Sequence, residues 1–159
     1  MRVLIVSDTH GRDDTFYDII ADYGPFDRVI HCGDVEGQED VLRAEADCPM
    51  DIVAGNNDYF SMLPRELEFM LGKYRVWLTH GHNYLVYMGN ETIIREASGR
   101  DVDIVMYGHT HKPVITKADG VIALNPGSLT FPRQTGHNPS FIIMTIDDDG
   151  EAEFEIEYV

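Results

Sequence analysis

Five hydrophobic runs in this chain each stop at a residue whose side chain can bind a metal. Arg2 to Val6 runs into Ser7-Asp8-Thr9-His10, Val29 to Cys32 into Gly33-Asp34, and Ile52 to Ala54 into Gly55-Asn56. Val76 to Thr79 delivers His80, and Ile104 to Tyr107 delivers Gly108-His109-Thr110-His111. Short apolar runs of this kind read as buried strands. A pleated strand that ends in Gly or a small polar residue can turn its last side chains toward a common edge. The pattern demands a fold in which strand ends converge, making neighbours of Asp8, His10, Asp34, Asn56, His80, His109 and His111.

The segments between these runs say how the strands connect. From Asp13 to Tyr23, Phe16, Ile19, Ile20 and Tyr23 recur at helical spacing, with acidic residues early where they suit a helix N-terminus. A shorter helix is expected from Glu39 to Ala46, and a third from Glu91 to Ala97 behind Asn90 as N-cap. The first half thus alternates strand and helix, the pattern of a parallel sheet with crossover connections. The second half reads as hairpins: Glu66 to Leu71 with Tyr74 to Thr79, and Val114 to Thr116 with Val121 to Leu124. Two last strands follow, Phe141 to Ile146 and Glu151 to Tyr158, joined by Asp147-Asp148-Asp149-Gly150 as a turn. In the final strand Phe154, Ile156 and Tyr158 alternate with Glu153, Glu155 and Glu157, an apolar face backed by a charged one that discourages edge pairing. Two sheets packed face to face with helices outside is the simplest assembly.

At 159 residues the chain fits one domain, 1–159, large enough to bury a core without disulfides. Cys32 and Cys48 form no CxxC pair and read as free thiols. The N-terminal apolar run is too short for a secretory or membrane-spanning segment, so a cytoplasmic protein that engages no membrane is expected. With 28 acidic and 12 basic residues the formal charge is −16. Repulsion at long range then argues against stable nucleic-acid or anionic-membrane binding. An anionic substrate would need a local positive focus, which divalent cations supply.

Carboxylate, amide oxygen and imidazole together suit a first-row divalent ion: manganese first, with nickel, iron or zinc as alternatives. Two such ions held about 3.5–4 Å apart can share a carboxylate and a bridging hydroxide and clamp the oxygens of an in-line displacement at phosphorus. Asp34, directly after the second strand, is the candidate shared ligand.

Asp8-Thr9-His10, Gly33-Asp34, Gly55-Asn56-Asn57-Asp58, His80-Gly81 and Gly108-His109-Thr110-His111, in that order, resemble the five signature blocks of the calcineurin-like metallophosphoesterases. Thr79-His80-Gly81-His82 and Asn125-Pro126-Gly127-Ser128 resemble the small YfcE-type branch. One block alone is weak, but five in order are specific. The resemblance implies a four-layer α/β/β/α sandwich with two mixed sheets flanked by helices. It also implies two divalent metal ions per chain, one held by Asp8, His10, Asp34 and His111, the other by Asp34, Asn56, His80 and His109. The implied activity is hydrolysis of small phosphate esters, with diesters preferred.

One departure matters. Larger members carry His after the Asn of the third block, a candidate acid for the leaving group, whereas this chain has Asn57, whose amide cannot deliver a proton. The proton must come from His82, from metal-bound water, or from nowhere. Asn57 and Arg133 are the candidate substrate-binding residues, and Lys112 is a further cation near the inferred site. His31, inside a strand, and His137, in a Pro- and Gly-rich loop, read as structural, while Asp58 reads as an orienting group. The rival reading is a catalytically silent interaction scaffold of the same fold, as a eukaryotic trafficking subunit resembling it is. The retained histidines favour the enzyme. A homo-oligomer stays open.

Overall fold

The computed structural model describes residues 1–159. Val3, Leu4, Ile5 and Val6 are all fully buried, so the first strand, β1 (Arg2–Val6), is covered on both faces. Alternation along it feeds two cores: Val3 and Ile5 point between the sheets, Leu4 and Val6 toward the helices. The rule repeats elsewhere. In β5 (Tyr74–Thr79), Val76 and Leu78 face inward while Trp77 packs outward; in β6 (Ile104–Met106), Ile104 and Met106 face inward and Val105 outward.

The first sheet has the order β10-β9-β1-β2-β3, with β2 at Arg28–His31, β3 at Met50–Ile52, β9 at Ser140–Ile146 and β10 at Ala152–Tyr158. β1, β2 and β3 run parallel, and β9 and β10 are antiparallel additions. The second sheet has the order β4-β5-β6-β8-β7, with β4 at Glu66–Leu71, β7 at Pro113–Ala118 and β8 at Val121–Pro126. Its centre, β5-β6-β8, is parallel and its rims are hairpins. Helices α1 (Asp14–Tyr23) and α2 (Glu39–Ala46) cover the outer face of the first sheet, and α3 (Glu91–Gly99) that of the second. The result is the expected four-layer α/β/β/α sandwich.

The boundaries fall within two residues of the sequence reading. Asp13 sits at the N-cap of α1 without a side-chain capping bond, and α3 continues two residues past Ala97. β3 ends at Ile52 because its partner β2 ends at His31, which leaves Val53 and Ala54 outside the ladder. The acidic turn is confirmed: the Gly150 N–H donates to Asp147 O at 3.1 Å, and the Asp147 carboxylate accepts from the Glu151 N–H at 2.8 Å. Cys32 and Cys48 are free thiols. No helix is long and apolar enough to cross a membrane.

The topology positions the site. Parallel strands in both sheets send their carboxyl ends to the same edge, where the connecting loops leave a crevice. Asp8 and His10 follow β1, Asp34 follows β2, Asn56 follows β3, His80 follows β5, and His109 and His111 follow β6.

Candidate metal centre

The chain turns sharply after these strands. Asp8, His10, Asp34, His109 and His111 all have positive φ, between 48° and 70°, a region that costs a non-glycine residue about 1–2 kcal/mol. Strain gathered on five candidate ligands marks a site whose surroundings hold them in place. Glycine admits the close approach: a Cβ on Gly55 would overlap the Asp34 carboxylate, and one on Gly108 would overlap Ser7 Oγ.

Three imidazoles present the same edge inward. His80 Nδ1 lies 2.8 Å from Cys32 O, His111 Nδ1 2.8 Å from Phe131 O, and His10 Nδ1 2.7 Å from Glu36 Oε1. A carbonyl or carboxylate oxygen only accepts, so each Nδ1 carries a hydrogen and donates it outward. In the neutral ring Nε2 is then a bare lone pair, the tautomer that such partners impose on metal-binding histidines. The three Nε2 atoms converge: His10 and His111 face each other at 3.3 Å, and Asp34 Oδ2 stands 3.8 Å from His10 and 3.5 Å from His80. Asn56 Oδ1 completes the second side, 3.0 Å from His80 Nε2 and 2.8 Å from His109 Nδ1.

Asp8 tests whether a cation fits. Its Oδ2 accepts from Ser7 Oγ at 2.6 Å and from the His109 N–H at 3.0 Å. Its Oδ1 is fully buried with no hydrogen-bond donor, although His111 Nε2 lies 3.1 Å away. Because the other His111 nitrogen already carries a hydrogen, that pair is favourable only with a cation between the two atoms, a proton or a metal ion. Leaving such an oxygen unsatisfied costs about 1–3 kcal/mol or more, so the donor set fits a metal. Two groups, Asp8-His10-His111 and Asp8-Asp34-His80, have ligand atoms close enough to chelate a divalent ion.

The electrostatics agree. Burial alone would raise the carboxyls of Asp8 and Asp34. The imidazoles of His111 and His80 with the Ser7 hydroxyl outweigh it at Asp8, and His80 with the Asn57 donors outweighs it at Asp34, so both lie below the usual carboxylate range. Burial likewise opposes charge on His80, but the bond to Asp34 and the charges of Asp8 and Asp34 push its pKa up to about 9. Without a metal ion, His80 would therefore keep a proton on the Nε2 that a metal would take.

All seven candidate ligands meet here. Asn57 meets them too, engaged with Asp34 through both its backbone and its side-chain amide, with the second amide hydrogen unpaired. His82 opens the turn after β5, its ring centroid 5.4 Å from that of His80. Burial, then the charges of His80 and Arg65, lower its pKa. Arg133 and Lys112 line a cleft that reaches His109. His31 lies buried beneath the centre, accepting the Gly33 N–H at Nδ1 and donating from Nε2 to Thr9, while His137 is exposed in its loop. Asp58 orients as expected, accepting the N–H groups of Asp34, Glu36 and Gly55. Glu36 and the carbonyls of Cys32 and Phe131 escaped the sequence reading. Backbone acceptors leave no residue-type signal, and the one clue to Glu36 was its place two residues after Asp34.

A sandwich that gathers two Asp/His clusters at its strand ends is consistent with a metal-dependent hydrolase. The chain belongs to the calcineurin-like phosphoesterase superfamily, whose domain matches residues 1–149. The Bacillus subtilis "Probable metallophosphoesterase YsnB" is 31% identical over 150 residues, covering 94% of this chain and 86% of that one. A predicted phosphoesterase from Streptococcus pneumoniae superposes with a TM-score of 0.79 at 26% identity, covering 99% of this chain and 97% of that chain. Wild-type Vps29 from Entamoeba histolytica, solved in complex with zinc, superposes at 0.78 with 27% identity and 99% coverage of both.

Proposed function

We propose that this chain is a two-metal phosphodiesterase of the small YfcE-type branch, acting on small phosphate esters. The observation that carries the reading is the set of three imidazoles locked from outside with Nε2 aimed at Asp8 Oδ1 and Asp34 Oδ2. In this reading Asp8, His10, Asp34 and His111 hold one ion, and Asp34, Asn56, His80 and His109 the other. Asp34 Oδ2, which faces both His10 and His80, would serve both ions; Asp8 Oδ1, at 3.1 Å from His111 and 4.0 Å from His80, would go with the first. Manganese is the first candidate, before nickel, iron or zinc. When bound, the ions neutralise phosphate charge and lower the pKa of water.

The chain's own residues do the rest. Asn57 holds both oxygens of Asp34. His82, whose Nδ1 has no partner, is the imidazole beside the centre that exchanges a proton with a leaving oxygen. Arg133 meets substrate charge. Metal-depleted protein reconstituted with each ion in turn should hydrolyse bis(p-nitrophenyl) phosphate only when loaded. Failure to bind any ion, or metal loading without turnover of any ester, overturns the reading.

The second of those failures would favour a metal-binding interaction scaffold. One observation supports that rival: Tyr59, Phe60 and Met62, on the loop beyond Asn56, are 79%, 100% and 97% exposed.

A further inference from the structure

Two clefts flank the centre, and their charges are opposite. One, of about 540 Å³, begins at Asn57 and is walled by Glu36, Glu39 and Asp58, with Tyr59 and Phe60 at its rim and no cation among its lining residues. The other, of about 690 Å³, begins at His109 and contains Lys112 and Arg133 with no carboxylate. In a chain with 28 acidic and 12 basic residues, a cleft lined by two cations and no carboxylate is a local inversion of charge, with Glu91 the acid that stands behind its Gly89 wall. The side-chain ion pairs of the structure engage Arg28, Lys73, Arg75 and Arg100, so Lys112 and Arg133 are left for an external anion. Tyr87 and Met88, 67% and 75% exposed, add an aromatic face and a polarizable thioether on the same wall. Those two surfaces suit a planar or apolar body.

We propose that the cleft beyond His109 is the subsite for one arm of the diester, an arm with a planar body and a second anionic group, which Lys112 and Arg133 meet. The simplest such substrate is a diester of a nucleoside that carries a further phosphate. The acidic cleft then receives the uncharged arm. This specificity rests on the phosphodiesterase reading of the centre.

A matched pair of esters tests it: thymidine 5′-(p-nitrophenyl phosphate) with and without a 3′-phosphate. Leaving group and reacting phosphorus are the same, and only the distal anion differs. The metal-loaded protein should show kcat/KM about tenfold higher for the 3′-phosphorylated ester, the ratio expected of about 1.4 kcal/mol of added binding. Lys112→Ala and Arg133→Ala should each bring that ratio toward one. Lys117→Ala, which removes an equal charge outside the cleft, should not. Calorimetric titration with thymidine 3′,5′-bisphosphate and thymidine 5′-phosphate reads the same preference without turnover. Equal hydrolysis of the two esters, or a preference that survives both cleft variants, overturns the subsite and leaves the activity standing. Bisphosphate preference without turnover of any ester overturns the phosphodiesterase reading instead.

Discussion

Asn57 grips Asp34 twice: its backbone N–H donates to Oδ1 at 2.8 Å and its side-chain amide to Oδ2 at 2.7 Å. The residue in the position of a missing general acid is therefore an anchor for the proposed shared ligand. Asn57→Ala keeps the backbone bond and loses the other. Loss of one such supporting contact weakens a metal by about 10–100-fold. Because Asp34 Oδ2 faces both His10 and His80, affinity should fall at both positions together, read by competition with a chromophoric chelator. A loss confined to one ion would contradict the sharing.

Glu36 offers the contrasting case, since its carboxylate bonds His10 and no other candidate ligand. Glu36→Ala should free the His10 ring to rotate and exchange tautomers, weakening the ion beside Asp8 and His111 while sparing the other. Elemental analysis after gel filtration should then give a stoichiometry near one where the parent gives two. An unchanged stoichiometry and affinity would remove Glu36 from the site.

Proton competition sets the pH dependence. His80 gains its partners on folding, so its folded pKa of about 9 lies above the ordinary 6.5. In the metal-free protein that stabilisation is fully present below pH 6.5 and lost as pH rises through 9. A metal ion at Nε2 must displace this proton, so apparent affinity should rise about tenfold per pH unit between 6.5 and 9. Calorimetry in buffers of differing ionisation enthalpy should count the proton released. Affinity independent of pH across that window would show that His80 is already neutral.

His31 works in the opposite sense. Burial lowers its pKa to about 4, against the weaker pull of Asp8 and Asp58. Its contribution is present above pH 6.5 and lost as pH falls through 4, since only the unfolded chain protonates readily in that interval. His31→Ala should lower the melting temperature at neutral pH, by stranding the Gly33 N–H and the Thr9 hydroxyl, and should flatten the acid-side loss of stability. An acid limb as steep as the parent's would assign that loss to other groups.

The layers and the ligands were legible because both are written in side chains. Apolar runs such as Val3 to Val6 announce a strand buried on both faces, and Asp8, His10 and Asp34 announce themselves by type and by following Ser, Thr or Gly at a strand end. What positions them was not legible. The acceptors for His80 and His111 are the carbonyls of Cys32 and Phe131, which any residue could supply. Nor could the end of β3 be read from Ile52-Val53-Ala54, because it is set by where its neighbour β2 stops.

The leaving group is the most direct probe of the chemistry. Asn57 spends its amide on Asp34, and the pKa of His82 is lowered by burial first and then by the charges of His80 and Arg65. That lowering makes His82 a poorer proton reservoir at neutral pH than an ordinary imidazole, so departure of the ester oxygen depends mainly on its own acidity. Aryl diesters should be cleaved far faster than alkyl diesters, with log kcat falling as leaving-group pKa rises. If His82 supplies the residual proton, His82→Ala should steepen that slope, slowing poor leaving groups by roughly 10²-fold while barely changing p-nitrophenyl esters. Slow product release would flatten the slope and imitate an efficient acid, so single-turnover measurements are the proper test. A flat slope under those conditions, unchanged in His82→Ala, would mean that the leaving oxygen receives its proton elsewhere.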